Sequence, residues 1–398
     1  LAGSPLASSA AGTVYYVDGA SGNDANSGTS ESSAWRTIQK AANTLRAGDT
    51  VYIRGGTYHE AVRFDAASGE QGNPITFRNQ PGESVSIISS NWYGLRLSVD
   101  WLVIDGLRVF DSSSHGIYVT GANNNVIQNC EFARHGWAGV MFGSDDGPTN
   151  HNIVRHNDIH DNAHEGVYLR NRYDGAYGVP VENNVIEYNI IYNNGDEGIQ
   201  NTDTFEELSP NGTVFRGNII YGNGSWGAGA DLTGNDLIFE DNIIYDNGGE
   251  VGGIWYTKGS GSIFRNNVIY NNRGTRSDVR AGIHLYNPVS NTEVYHNTIV
   301  GNTGAGVLLT SPGSGIVIRN NILSGNTTQI AASGGAYRGL AEGDLFEMEY
   351  YPMERAKLRR ARPRLGSEVA LVTGAAGAIG ACSAASASAR VSRRSLRS

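Results

Sequence analysis

Cysteine is nearly absent. Two residues, Cys130 and Cys382, in 398 exclude a disulfide-dense scaffold and a cysteine-based zinc site. Proline is also scarce, at 10, and charged residues make up 17% of the chain. No run of about 18 apolar residues occurs, so no transmembrane helix is expected. The 53 glycines follow no Gly-X-Y period, which excludes collagen. A hydrophobic share of 39% is enough for a core and excludes global disorder. The formal charge is −9. Residues 337–398 hold 11 Lys/Arg against 6 Asp/Glu, a net of +5, so the preceding 336 carry −14. Such a body argues against nucleic-acid binding, and no membrane partner is expected. The chain opens Leu-Ala-Gly-Ser without Met, and no apolar h-region follows. We read this as a secretion signal already removed and expect a secreted or extracellular protein. Residues 1–12 are expected to be disordered.

What is abundant is repetition. Asn189-Ile-Ile-Tyr-Asn-Asn194 recurs as Asn218-Ile-Ile-Tyr-Gly-Asn223, Asn242-Ile-Ile-Tyr-Asp-Asn247 and Asn267-Val-Ile-Tyr-Asn-Asn272, with weaker copies starting at Asn129, Asn157, Asn297 and Asn321. The leading asparagines lie 24 to 32 residues apart. A second motif, Gly followed by alternating apolar residues, starts at Gly116, Gly139, Gly166, Gly198, Gly229, Gly253, Gly282 and Gly306. These segments are short, β-branched and of period 2, so they read as strands. Three short strands per repeat, separated by Asn and Gly turns, predict an all-β parallel β-helix over residues 13–330. Stacked Asn amides can bond to one another and to turn backbone, Gly can supply left-handed corners, and Ile and Val can fill a narrow core. An all-β sandwich would leave the fixed Asn phase without a cause. Upstream, Trp35 to Leu45 carries Ile38, Ala41, Ala42 and Leu45 at helical spacing. This predicts an N-terminal helix covering the otherwise open first coil.

The stretch from Tyr15 to Phe77, with Tyr15-Tyr-Val-Asp18, Trp35-Arg-Thr-Ile38 and Gly48-Asp-Thr-Val-Tyr-Ile53, resembles the start of secreted polysaccharide lyases built as right-handed parallel β-helices. Pectate lyases of the calcium-dependent family 9 type and chondroitinase-B-like relatives share it. With the later Asn coils the resemblance covers about residues 13–330. It is more specific for fold and carbohydrate context than for substrate.

Residues of equal Gly phase should stack in outward-facing columns. Two after each Gly come Tyr118, Met141, Tyr168, Gln200, Asp231, Trp255, His284 and Leu308. Four after come Thr120, Gly143, Arg170, Thr202, Thr233, Thr257, Tyr286 and Thr310. The middle of this face gathers Glu165, Arg170, Asp196, Glu197, Gln200, Asp231, Trp255, Lys258, Arg280, His284 and Tyr286. Rings beside acids and bases suit a polysaccharide groove, in which Tyr168, Arg170, Trp255, His284 and Tyr286 would bind substrate. An ordinary solvated sheet face is the plainer alternative.

The resemblance implies a lyase. Its calcium segment, Asp-Asp-Gly-x-Asp, appears here as Asp196-Glu-Gly-Ile-Gln200, with Glu165 as an upstream acid, so Glu165, Asp196, Glu197 and Gln200 form the implied calcium set. The family's Gly-Phe-Lys-Leu, which carries the base, appears as Gly229-Ala-Asp-Leu232, with Asp231 at the Lys position. Lys258, one of three lysines, is the substitute base, with Arg280 close to its column. A glycoside hydrolase using Glu197/Asp231 or Glu165/Glu197 is a second reading, since adjacent coils, about 4.8 Å apart, suit a carboxylate pair. A non-catalytic polysaccharide-binding β-helix is a third.

Other signals are weaker. Asp145-Asp146-Gly147 and Asp158 to Asp161 read as corner caps before calcium ligands. His151, His156 and His160 are scattered by turns, so they are not expected to form a metal cluster. Tyr192, Tyr221, Tyr245 and Tyr270 share one phase and read as a structural ladder. The Asn phase stops near Ile330, and residues 331–398 form a non-repeat tail. Glu347 to Lys357 reads as helix, and Glu368-Val-Ala-Leu-Val-Thr-Gly-Ala-Ala-Gly-Ala-Ile-Gly380 resembles the first strand and Gly-rich turn of a short-chain dehydrogenase. No acidic ribose partner and no Tyr-x-x-x-Lys follow, so no nucleotide site is expected. The tail reads as a chimeric or frame-disrupted end.

Overall fold

The computed structural model describes residues 12–171, 180–202, 209–224, 228–286, 288–310 and 313–333, with short strands beyond at Phe346–Glu347, Thr373–Ala375 and Ala378–Gly380. The expectation of disorder over 1–12 falls almost wholly outside them. Among the described residues the chain is all-β apart from a helix at Ile38–Ala42 and a 3-10 turn at Glu31–Ser33. Short strands pair in parallel with their counterparts one coil on and build three sheets, the parallel β-helix that the Asn and Gly phases predict.

Two compact units divide the chain, residues 1–195 with 199–213 and residues 196–198 with 214–398. In the first, one sheet runs through Leu102–Asp105, Val126–Gln128, Ile153–Arg155 and Val185–Glu187. A second runs through Leu107–Phe110, Glu131–Ala133, Asp158–His160 and Ile190–Tyr192. The third, which starts at the Gly phase, runs through Tyr93–Leu97, His115–Thr120, Val140–Gly143, Val167–Leu169 and Ile199–Asn201. The second unit repeats the plan. Its Gly-phase sheet holds Ala228–Thr233, Gly252–Ser260, Ala281–Tyr286, Ala305–Thr310 and Thr328–Ser333.

The alternation of period 2 is visible in burial. In Val214–Arg216, Ile219–Tyr221 and Ile263–Arg265 only the central residue is fully buried. Those central side chains stack along the core, with Phe215, Phe239 and Phe264 at centroid spacings of 5.6 and 6.0 Å.

The corners explain the asparagines. Asn218, Asn242, Asn267, Asn297 and Asn321 form one ladder. Each Nδ2 donates to the Oδ1 of the next at 2.9–3.1 Å. A second ladder joins Asn223, Asn247, Asn272, Asn302 and Asn326. In the first unit, Asn157 donates to Asn189 and Asn162 to Asn194. Each rung is preceded by a residue in the left-handed region, such as Tyr188, Asp241, Asn266 and His296. Glycine fills that place only at some coils, as at Gly217 and Gly222. Asn, Asp and His tolerate it because a short polar side chain offsets part of the steric cost. One expected rung is displaced. Asn129 has φ 54° and is the bend residue, and Cys130 takes the ladder position, its N–H bonding Asn157 Oδ1 at 2.9 Å.

The capping helix is shorter than its apolar spacing suggests, five residues capped by Thr37, whose hydroxyl accepts from Lys40 N–H. Trp35, Ile38, Ala41, Ala42 and Leu45 are all buried, as the spacing predicts. Tyr221, Tyr245 and Tyr270 stack at 4.9 and 5.0 Å, while Tyr192 stacks on His160 at 4.6 Å. His151 and His156 occupy left-handed bends and His160 lies in a strand. The helix expected over 347–357 lies outside the described residues beyond Glu347, which belongs to a strand. Thr373–Ala375 and Ala378–Gly380 pair antiparallel, and the rest of the segment that resembles a first strand and Gly-rich turn lies outside the described residues.

Candidate functional site

The Gly-phase sheet aligns the expected columns. In the first unit Tyr118 pairs with Met141, Met141 with Tyr168, and Tyr168 with Gln200. In the second, Asp231 pairs with Trp255, Trp255 with His284, and His284 with Leu308. The face is more closed than a solvated sheet. Tyr118, Met141 and Tyr168 form a buried cluster with Ala138, and Tyr168 is only 8% exposed. Arg170 places its guanidinium 5.9 Å from the Tyr168 ring, and its Nε is buried without a hydrogen bond.

Loop acids cover part of this face. Tyr118 donates its hydroxyl to Asp145, and Arg96, aligned with Tyr118, pairs with Asp146. His115 lies beside Tyr118 at 5.7 Å and is 5% exposed. Burial, and then the charge of Arg170, pulls its pKa down to about 4, so at neutral pH it is an uncharged imidazole. Burial and the bond to Asp145 push the Tyr118 phenol up, so it stays protonated.

In the second unit, Trp255 and His284 lie parallel at 6.4 Å, and Tyr286 meets both edge-on at 6.3 and 5.4 Å. His284 is fully buried, bonds Thr310 Oγ1 through Nε2 at 3.0 Å, and is held neutral by burial, with its pKa lowered to about 4. Asp231 is half-buried, as is Arg280, which closes a turn through its N–H to Arg276 O. The sequence places Lys258 one residue beyond the four-after-Gly position. A bulge between Leu232 and Thr233 corrects this and pairs Thr233 with Lys258 in place of Thr257. Lys258 thereby takes the phase of Thr233, two residues past Asp231 and on the same face.

Of the expected calcium ligands, Glu165 and Glu197 are buried and Asp196 and Gln200 half-buried. His164 and Glu165 of the first unit carry an imidazole and a carboxylate, and Asp196 of the second a further carboxylate. Two carboxylates suit a hard cation such as calcium, while the imidazole is a ligand that transition metals prefer. Sequence reasoning passed over His164. It also passed over Trp92 and Trp137, which are 50% and 43% exposed. A signal for all three was present. Trp92, Trp137, His164, Asp196 and Arg280 each stand two residues before a Gly, at Gly94, Gly139, Gly166, Gly198 and Gly282.

Coils that carry rings, acids and bases along their Gly-phase strands form a parallel β-helix. The chain belongs to the family described as Pel9A-like, right handed beta helix region, whose model matches residues 15–237, more than half of the chain. A model of the right handed beta helix region matches residues 207–339. The chain is similar to the uncharacterized protein YwoF of Bacillus subtilis (strain 168), 35% identical over 29% of this chain and 27% of that protein. It is also similar to pectate lyase L of Paenibacillus polymyxa (strain SC2), 26% identical over 32% of this chain and 31% of that protein. The chain thus spans under a third of the length of these curated relatives. The crystal structure of pectate lyase Pel9A shares the fold, with TM-score 0.52, 16% identity, and coverage of 94% of this chain and 90% of that one. So does a lacto-N-biosidase from Eubacterium ramulus, with TM-score 0.52, 13% identity, and coverage of 81% and 67%.

Proposed function

We propose that the protein cleaves a uronate-containing polysaccharide by β-elimination, outside the cell, with calcium as its metal. The observation that carries this reading is the bulge that brings Lys258 into register with Thr233, on the face of Asp231. Elimination needs a base at the sugar's C5, and the family's Lys position is filled here by an acid. The bulge supplies a lysine to the same face one coil on. In the proposed step, Lys258 Nζ takes the C5 proton. The C5–H electron pair forms the C4=C5 bond, the C4–O4 bond breaks, and the departing O4 is protonated from water. When bound, calcium would neutralise the uronate carboxylate and so acidify the C5 proton. Arg280 offers its guanidinium group to another carboxylate of the polysaccharide. Membership of the Pel9A-like family and the similarity to pectate lyase L support the choice of an acidic polysaccharide.

A panel of polyuronates and neutral polysaccharides, read for the ultraviolet absorbance of the unsaturated product and for reducing ends, tests the reading. Both signals should appear on a polyuronate and disappear with chelator or with Lys258→Ala. Reducing ends without unsaturated product, abolished by Glu197→Gln or Asp231→Asn, would establish hydrolysis by a carboxylate pair instead.

A further inference from the structure

Trp92 and Trp137 have no place in that chemistry. Of the four large apolar side chains most exposed among the described residues, these two stand at one corner of the first unit, where the Gly-phase sheet begins. Backbone bonds tie the successive coils there. His115 N–H donates to Trp92 O, Trp137 N–H to Ser114 O, and His164 N–H to Trp137 O. The rings form a continuous series over four coils. The buried His115 ring lies edge-on to Trp92 at 4.7 Å and 6.3 Å from Trp137, which in turn stacks on His164 at 4.7 Å. An isolated exposed aromatic needs no explanation, but an aromatic ridge of this length on a surface marks a binding face.

Its geometry selects the ligand. Trp92 and Trp137 are two coils apart, about 10 Å along the stacking direction, comparable to two units of an extended pyranose chain. Pyranose rings carry apolar C–H faces that pack on indole while their hydroxyls stay at the edge. Polar groups lie against the same cluster. Trp92 contacts Tyr118 at 5.1 Å, and Tyr118 packs with Tyr168, over which Arg170 sits. His115 Nδ1 and Arg170 Nε are both buried and unbonded, whereas Arg96 is tied to Asp146. Buried polar atoms are seldom left unbonded unless a ligand or water completes them.

We propose that Trp92, Trp137 and His164 form a stacking rail for an acidic polysaccharide laid along the coils of the first unit, with Arg170 taking a uronate carboxylate and His115 a sugar hydroxyl. The rail rests on the reading above for the class of ligand and is independent of the cleavage step. It gives the first unit a grip on several sugar units at once.

The test measures binding of oligogalacturonate and oligomannuronate, with neutral xylo-oligosaccharide as control, by calorimetry on the full chain. Trp92→Ala/Trp137→Ala should weaken acidic-oligosaccharide binding at least tenfold, and Arg170→Gln should erase the preference over the neutral control. In the wild type, bound oligosaccharide should shield tryptophan fluorescence from acrylamide, a readout that needs no variant. Unchanged affinity in a folded double variant, no shielding, or no binding of either acidic oligosaccharide would overturn the proposal. Lys258→Ala separates the two readings. If it still cleaves while the double variant loses binding, the rail stands and the elimination step falls. If it loses cleavage while the double variant binds normally, only the rail falls.

Discussion

His135 stands at a corner position that asparagine fills on the next coils. Its N–H bonds Asn162 Oδ1 at 3.1 Å, and its Nδ1 shares a 2.6 Å bond with Ser112 Oγ. Burial drives its pKa down to about 3, and burial also holds His115 and His284 near 4, against an ordinary 6.5. The unfolded chain therefore binds protons that the folded one refuses. Stability is complete above about pH 6.5 and falls as pH drops from there toward 4, because unfolding takes up protons throughout that window. Each group accounts for about 3 kcal/mol at most across that window. Thermal melts between pH 7 and 4 should show the decline. His135→Asn, which removes one titrating ring while restoring the common corner residue, should flatten it. An equally steep decline in that variant would assign the acid sensitivity elsewhere.

At the scale of elements, the ladder and the bulge make opposite demands on sequence. A buried amide in a ladder is satisfied by a matching amide one coil away together with backbone groups of the corner. Asn242 Oδ1 accepts from both the N–H and the Nδ2 of Asn218, and its own Nδ2 donates to Phe215 O and Asn267 Oδ1. Asn242→Ala removes the side chain that accepts from Asn218 N–H and Nδ2 and donates to Phe215 O, while the backbone N–H still reaches Asn267 Oδ1, and should cost about 3 kcal/mol. Half-exposed Tyr245→Ala should cost clearly less, as read from urea midpoints. The bulge depends on space. Gly259 has φ 149°, and a Cβ there would come within 1.9 Å of Gly234 O and 2.2 Å of the Tyr256 hydroxyl. Gly259→Ala is expected to disturb the turn that positions Lys258 and to lower cleavage at least tenfold, although no charged group is changed. Cleavage at the wild-type rate would remove the bulge from the mechanism.

For the whole molecule, every residue assigned to the site or the rail precedes Asn287. Thr328–Ser333 pairs along Ala305–Thr310, and among the described residues of 337–398 only Phe346–Glu347 pairs onto the coils, along Ile318 and Arg319 and far from the residues assigned to the site in sequence. Removing residues 337–398 should therefore leave cleavage and oligosaccharide binding unchanged. Loss of either in a soluble, β-rich truncated protein would give the tail a functional role.

The sequence by itself determined the fold, because a solenoid core is one-dimensional: each coil sees only its neighbours, so the same Asn, Ile and Gly must recur at the same phase. That is why the columns Tyr118–Met141–Tyr168 and Asp231–Trp255–His284 could be counted out from glycines alone. The register of a bend is less legible. Asn129 and Cys130 exchange roles because a left-handed residue and a ladder rung are adjacent, and asparagine suits both. Only the tertiary structure decided what lies over the Gly-phase sheet. Loop residues Asp145 and Asp146 reach back onto Tyr118 and Arg96 from sequence distances of 27 and 50 residues, and no periodicity encodes such a contact. It likewise decided that Lys258 joins the Thr233 column. A β-bulge arises from local backbone crowding, which shifts the count by one residue while leaving the alternation of side chains on either side intact.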